Sequence, residues 1–126
     1  MTRKVPPRPT VAELAILRVL WDRGPSTVRD VQEVLSEERP TGYTTALKFM
    51  QIMHQKGLLV RDEKRRPHVY MPAQEEEKTQ RQLVGDLITR AFRGSAGKLV
   101  MQALSTRKSS PEELEEIRRL LKKMEE

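Results

Sequence analysis

The sequence contains no cysteine among its 126 residues, and this absence excludes several kinds of chemistry. Without a thiol the chain forms no disulfide, holds no iron–sulfur cluster and offers no thiolate for catalysis or metal binding. The two histidines, His54 and His68, belong to no His-x-x-x-His pair or His–acid cluster. The six glycines form no phosphate-binding loop, and no serine has a histidine base in its own segment. The sequence therefore predicts no cofactor and no enzyme activity.

Aromatic residues are scarce, at 4% of the chain. This scarcity argues against a β-sandwich and against proteins that stack single-stranded bases, since both need aromatic surfaces. No apolar run approaches the roughly 18 residues of a membrane span, and the N-terminus lacks the apolar stretch of a signal peptide. We expect a cytoplasmic protein without membrane insertion.

The charge that is present is basic and unevenly distributed. The chain has a formal net charge of +6, and residues 1–73 hold 13 Lys and Arg against 8 Asp and Glu. Residues 74–126 hold 11 Lys and Arg against 10 Asp and Glu. A basic surface alone is weak evidence for nucleic-acid binding, but it assigns the polyanion-facing role to the first segment.

Helix and turn signals predict three helices followed by a hairpin in that segment. Capping boxes begin the first two helices at Thr10 and Thr27, and Thr41 is the predicted N-cap of the third. After Gly57, two short β-branched or aromatic runs flank the charged connection at residues 62–68. This order is that of a winged helix-turn-helix, so the predicted fold is mainly α with a small β-hairpin wing.

The third helix has one apolar side and one polar side. Its apolar residues follow the helical spacing i, i+3, i+4, i+7 and are Ala46, Phe49, Met50 and Met53. The polar side has no acid, which suits contact with a polyanion, and carries Thr44, Thr45, Lys48, Gln51 and Gln55. We predict a DNA recognition helix. Leu47 and Ile52 also fall toward the exposed side, where they either pack on flanking helices or contact thymine methyl groups.

From Gln74 onward the sequence predicts three further helices with more apolar surface than they can bury among themselves. A partner chain is the economical explanation, and a two-fold homodimer is the commonest form. Docking back onto residues 10–73 is the alternative. The predicted dimerisation residues are Leu83, Leu87, Leu99, Ile117 and Leu121.

The predicted organisation has three parts. Residues 1–9 form a basic, proline-containing arm, which is either a simple tail or a weak phosphate contact. Residues 10–73 form the winged-helix domain, and residues 74–126 form the helical dimerisation region.

Several segments together resemble the BlaI/MecI family of penicillinase and methicillin-resistance repressors. They are PTVAELAILRVLWDRGPSTVRDVQEVL, the Tyr43-Thr44-Thr45 start of the third helix, Lys56-Gly57-Leu58-Leu59 and Val69-Tyr70. The helical tail with its ELEEIRRLLKK ending is similar as well, so the resemblance covers nearly the whole chain.

The resemblance implies a homodimeric winged-helix repressor that binds a palindromic site on double-stranded DNA, with the tail helices of two chains intertwined. The start of the third helix would enter the major groove, and the wing would contact the DNA backbone. The implied groove residues are Tyr43, Thr44, Thr45 and Lys48, and the implied backbone contacts are Lys64, Arg65 and Arg66.

The chain departs from the family pattern at three places. Relatives are cut at an Asn-Phe bond by a membrane sensor-protease, a possible partner that the resemblance implies, whereas the corresponding pair here is Gln102-Ala103. The copper-responsive branch with a cysteine-rich site is excluded by the lack of cysteine. Ile52 stands where relatives often have an arginine, which removes one expected phosphate contact.

A second function is compatible with the same fold. A winged helix sometimes serves as a protein-interaction module without sequence-specific DNA binding, and Lys64 to Arg66 would then be only a solvated face. That alternative predicts binding that survives high salt and loss of the wing arginines.

Overall fold

A computed structural model describes residues 8–126 and shows six helices and one hairpin. The prediction for the N-terminal arm lies almost wholly outside these residues. The elements are α1 (Val11–Arg23), α2 (Val28–Glu38), α3 (Tyr43–Lys56), β1 (Leu59–Asp62), β2 (Val69–Pro72), α4 (Glu76–Ala91), α5 (Ala96–Thr106) and α6 (Pro111–Glu125). The predicted winged-helix fold is confirmed.

Local side-chain caps explain where α1 and α2 begin. The hydroxyl of Thr10 accepts the backbone N–H of Glu13 at 3.2 Å, and the Glu13 carboxylate accepts the Thr10 N–H at 2.9 Å. Thr27 and Asp30 repeat this reciprocal pair at 3.1 and 3.0 Å. Each box satisfies two backbone donors that a helix start otherwise leaves unpaired.

The prediction that Thr41 caps α3 is wrong, because Gly42 is the N-cap and makes no side-chain cap. Thr41 instead makes its hydrogen bonds within the turn between α2 and α3 and to side chains of α2. Its carbonyl accepts hydrogen bonds from the Gln32 amide and the Ser36 hydroxyl, both at 3.0 Å, while its own hydroxyl donates to the carbonyl of Arg39. The turn between α2 and α3 is thus tied to α2 by its backbone.

The wing, which comprises β1, β2 and their connection, is joined to the helices at two points. At its start, Gly57 adopts φ +88°, a left-handed conformation that glycine tolerates well and that ends α3. At its end, Tyr70 exchanges backbone hydrogen bonds of 2.8 and 3.0 Å with Ser26, which precedes α2. The strands pair antiparallel from Leu59 opposite Pro72 to Asp62 opposite Val69.

The core lies between α1, α2, α3 and the wing. Trp21 and Phe49 are partly buried against it, and the Trp21 indole N–H donates to the Gln74 carbonyl at 3.0 Å. The buried apolar cluster consists of Ile16, Leu17, Val19, Leu20, Val28, Val31, Ala46, Met50, Met53, Leu58, Leu59 and Tyr70. Three of the four residues predicted to face the core from α3 are therefore fully buried, and Phe49 is at its margin.

The chain divides into two compact units, Met1–Leu83 and Val84–Glu126. The division falls within α4, and the domain boundary that the sequence places after residue 73 stays a prediction. All residues of the second unit are described, and none of them is buried. Within residues 8–126, no helix has the length and apolar character needed to cross a membrane.

Candidate nucleic-acid interface

The polar side of α3 is open to solvent in its first turns. Thr44, Thr45 and Lys48 are exposed, and Tyr43 is 42% exposed, whereas Ala46 and Met50 on the other side have no accessible surface. The four residues predicted to enter the major groove therefore share the N-terminal part of one helix. Their hydroxyl and ammonium groups are free to donate hydrogen bonds outward.

The start of α3 is also electrostatically suited to an anion. No acidic residue occupies the first turn, and Gly42 provides no side-chain acceptor for its backbone N–H groups. Such uncapped N–H groups, with the helix dipole behind them, favour a phosphate at the helix N-terminus.

An ion pair between an exposed lysine and a buried carboxylate holds the other end of α3 to α1. The Lys56 ammonium lies 2.7 Å from the Glu13 carboxylate, and Glu13 is only 3% exposed. Burial disfavours the charged carboxylate, but the hydrogen bonds from Lys56 and Thr10 outweigh that effect, so the pKa of Glu13 lies below its ordinary value. The ionised pair fixes where α3 leaves the core.

Aromatic and charged contacts fix the base of the wing. The Tyr70 ring, which is buried, meets the His54 ring of α3 edge to face at 6.5 Å, and the Arg61 guanidinium lies 5.9 Å from the Tyr70 ring centre. Arg61 also forms an ion pair with Glu63. The hydrogen bond from Arg61 lowers the pKa of the Glu63 carboxyl, so Glu63 neutralises Arg61 locally.

The tip of the wing presents three further cations. Lys64, Arg65 and Arg66 are all exposed. The Arg66 guanidinium donates to the Glu63 carbonyl at 3.1 Å and lies 2.6 Å from the His68 ring nitrogen Nε2. The three residues predicted to contact the DNA backbone therefore lie together on the wing, whereas the predicted groove residues lie on α3.

The sequence did not indicate the contact between Arg29 of α2 and Tyr43. The Arg29 guanidinium lies 5.2 Å from the centre of the Tyr43 ring. Both residues line a cleft of about 480 Å³ between α2, α3 and the wing, whose other walls include Leu47, Gln51 and His68. Only the three-dimensional arrangement could reveal this pair, because 14 positions separate its members.

The structure separates the two apolar residues that the helix pattern left unassigned. Leu47 is partly buried and packs against the core, whereas Ile52 is 39% exposed.

The Gln102-Ala103 pair lies within α5, and both of its residues are exposed.

The predicted dimerisation residues lie on the tail helices and are exposed or half-buried. Leu87 on α4 is 48% exposed and Leu121 on α6 is 53% exposed. Leu83, Leu99 and Ile117 are half-buried. Large apolar side chains on α4, α5 and α6 therefore retain accessible surface.

Comparison with known proteins identifies the family. Two curated proteins named Transcriptional regulator BlaI, from the CDC 1551/Oshkosh and ATCC 25618/H37Rv strains of Mycobacterium tuberculosis, are each 34% identical to this chain over 80 residues. That alignment covers 63% of this chain and 58% of each relative.

The sequence model of the family described as Penicillinase repressor matches residues 9–123. The family is named for a repressor and not for an enzyme, in agreement with the sequence prediction. The match includes the winged helix and almost the whole tail, and it confirms the resemblance read from the residues. The chain belongs to the penicillinase repressor family.

Proposed function

We propose that this protein is a transcriptional repressor that binds a palindromic operator in double-stranded DNA as a homodimer. The observation that carries the proposal is the start of α3, which is exposed, free of acidic residues and uncapped by any side chain. Family membership supports the same conclusion, since both the family and its curated relatives are named as transcriptional regulators or repressors.

In this proposal α3 reads bases and the wing holds the backbone. Thr44, Thr45 and Lys48 enter the major groove, where hydroxyls and an ammonium can bond to base edges, and Tyr43 lies beside them. Lys64, Arg65 and Arg66 neutralise phosphates, which supplies affinity without sequence information. The ion pair of Glu13 with Lys56 keeps α3 in a fixed position on the core.

The homodimer is proposed from the second unit. Three helices carry large exposed apolar side chains, and none of their residues from Val84 onward is buried. A second copy of the unit would cover this surface, and a two-fold dimer would place two α3 helices about one helical turn of DNA apart, roughly 34 Å.

Selection of bound fragments from a random DNA pool tests the proposal. We expect enrichment of a palindrome with two related half-sites. Recovery of unrelated sequences, together with protein binding that persists at high salt, would favour the interaction module instead.

Replacing Lys48 by alanine should reduce affinity for the selected operator by about 1 to 3 kcal/mol and relax the preference at one base position in each half-site. The reason is that a base-edge acceptor loses the exposed ammonium donor on the groove-facing side of α3. Titration of operators substituted at each position measures the effect. Unchanged preference at every position would show that Lys48 does not read bases.

Replacing Arg65 and Arg66 together by alanine should weaken binding to all DNA sequences alike. Each lost phosphate contact should lower the slope of log affinity against log salt by about 0.9, because fewer counterions are released. Binding isotherms over a range of salt concentrations, on operator and random DNA, give both quantities. A changed sequence preference with an unchanged slope would assign base reading to the wing.

Proteolytic relief of repression would have to act on a helical bond. The Gln102-Ala103 pair lies in the middle of α5, and proteases cleave loops and locally opened segments most readily. We propose that a sensor-protease cutting here would need α5 to open first.

A further inference from the structure

The contact between α2 and α3 assigns a role to Arg29 that neither the sequence pattern nor the family match indicates. We propose that Arg29 is a positioning residue for the first turn of α3, acting through the ring of Tyr43. The inference rests on the proposed function, because it concerns how α3 reads an operator.

The first turn of α3 has few other attachments. Gly42 provides no side-chain cap, and Tyr43 and Thr44 are exposed. The hydrogen bonds from Gln32 and Ser36 end at the Thr41 carbonyl, two residues before the helix begins. The next residue anchored in the core is Ala46. The segment between these anchors includes three of the four predicted groove residues.

Arg29 spans this gap from the neighbouring helix. Its guanidinium lies 5.2 Å from the centre of the Tyr43 ring, within the range of an attractive cation–π contact. Since Arg29 follows the capped start of α2, its backbone is held in place by the Thr27–Asp30 box. The rigid start of α2 therefore supports the less constrained start of α3.

The direction of the Tyr43 side chain shows which residues of α3 Arg29 positions. Tyr43, Leu47 and Gln51 form one stripe of α3 that lines the cleft between α2 and the wing. Thr44, Thr45 and Lys48 lie beside this stripe and face away from the core. Holding the Tyr43 ring against Arg29 limits rotation of the first turn, which sets the direction of Thr44 and Thr45. Arg29 thus contributes to base preference without touching a base.

A double-mutant cycle on operator binding separates this role from a direct phosphate contact. Arg29→Met should weaken operator binding roughly two- to fivefold and reduce discrimination against substituted half-sites by a similar factor. The same change in a Tyr43→Ala background should have almost no effect, because the ring is already missing. In a Tyr43→Phe background, which keeps the ring, the full effect of Arg29→Met should return.

The controls account for charge and folding. Arg18→Met removes one positive charge from an exposed site on α1 and should leave discrimination between half-sites unchanged. Arg29→Gln keeps a planar head group but removes the positive charge, and it should behave like Arg29→Met. Thermal melts of every variant should match the unmodified protein, because all of the altered side chains are exposed.

Two results distinguish failure of this inference from failure of the proposed function. Equal losses from Arg29→Met in the unmodified and Tyr43→Ala backgrounds, with a salt slope lowered by about 0.9, would make Arg29 an ordinary phosphate contact and overturn the inference. If the unmodified protein selects no operator at all, the proposed function itself fails.

Discussion

Replacing Leu121 by lysine should convert the protein to monomers and weaken binding to a full palindromic operator by roughly a hundredfold or more. Leu121 is 53% exposed on α6, in a unit without any buried residue. If a second chain covers that surface, a lysine there would place an unpaired charge in an apolar interface. The dimer would dissociate, and each half-site would then bind independently, without the high effective concentration that a linked second site provides.

The added charge makes the result easy to interpret. A further lysine should favour DNA electrostatically, so weaker binding cannot come from lost positive charge. Glu116→Gln raises the net charge by the same amount at another exposed position of α6 and should leave both the dimer and the affinity unchanged. Sedimentation velocity and operator titration measure the two effects. Sedimentation of the unmodified protein as a compact monomer would contradict the dimer.

Replacing Glu13 by alanine should lower the free energy of unfolding by about 2 to 3 kcal/mol at neutral pH. The change removes the partner of Lys56 and half of the capping box at the start of α1. The loss should lie at the lower end of the range for buried pairs, because the Lys56 side chain is 36% exposed and water can solvate it. The melting temperature should fall by roughly 10 °C or more, as measured by calorimetry.

The pH dependence of this contribution follows from the lowered pKa of Glu13. Because the folded-state pKa lies below the ordinary 4.5, the carboxylate stabilises the folded state fully above that value. The contribution is lost as the pH falls through the lowered pKa. The melting temperature of the unmodified protein should therefore fall more steeply in this acidic range than that of Glu13→Gln.

A cycle with Lys56 shows whether the pair itself is responsible. Lys56→Met leaves a buried carboxylate with only the Thr10 donor, so it should also destabilise the fold. The double variant Glu13→Gln with Lys56→Met should be less destabilised than the two single effects added together. Glu37→Gln, at an exposed site on α2, should change stability by less than about 0.5 kcal/mol. Additive effects of Glu13 and Lys56 would show that the contact contributes little.

Much of the fold could be predicted because its signals are local. The boxes at Thr10 and Thr27 join residues three positions apart, and the apolar spacing of α3 repeats within one helix. The same periodicity and the absence of acids indicate Thr44, Thr45 and Lys48 on the polar side of α3, and the family resemblance adds Tyr43 to the candidate groove residues. The wing was predictable from its two β-branched runs and the charged connection between them.

The site could be predicted only in part because its supports lie far apart in the chain. The α3 cap was assigned to Thr41, whose carbonyl is held by side chains of α2, so the N-cap lies one residue later, at Gly42. That choice depends on the packing of two helices and not on the preference of threonine for cap positions. Arg29 was missed for the same reason.

The sequence by itself determined the starts of α1 and α2, the faces of α3, the basic wing and the family, because each depends on neighbouring residues or on their order. The tertiary structure decided which distant groups meet. It joined Glu13 to Lys56 across 43 positions, Ser26 to Tyr70 through paired backbones and Arg29 to Tyr43 beside the cleft. Contacts of this kind depend on how helices and strands pack, since a side chain's partner is fixed only when both of their elements are in place.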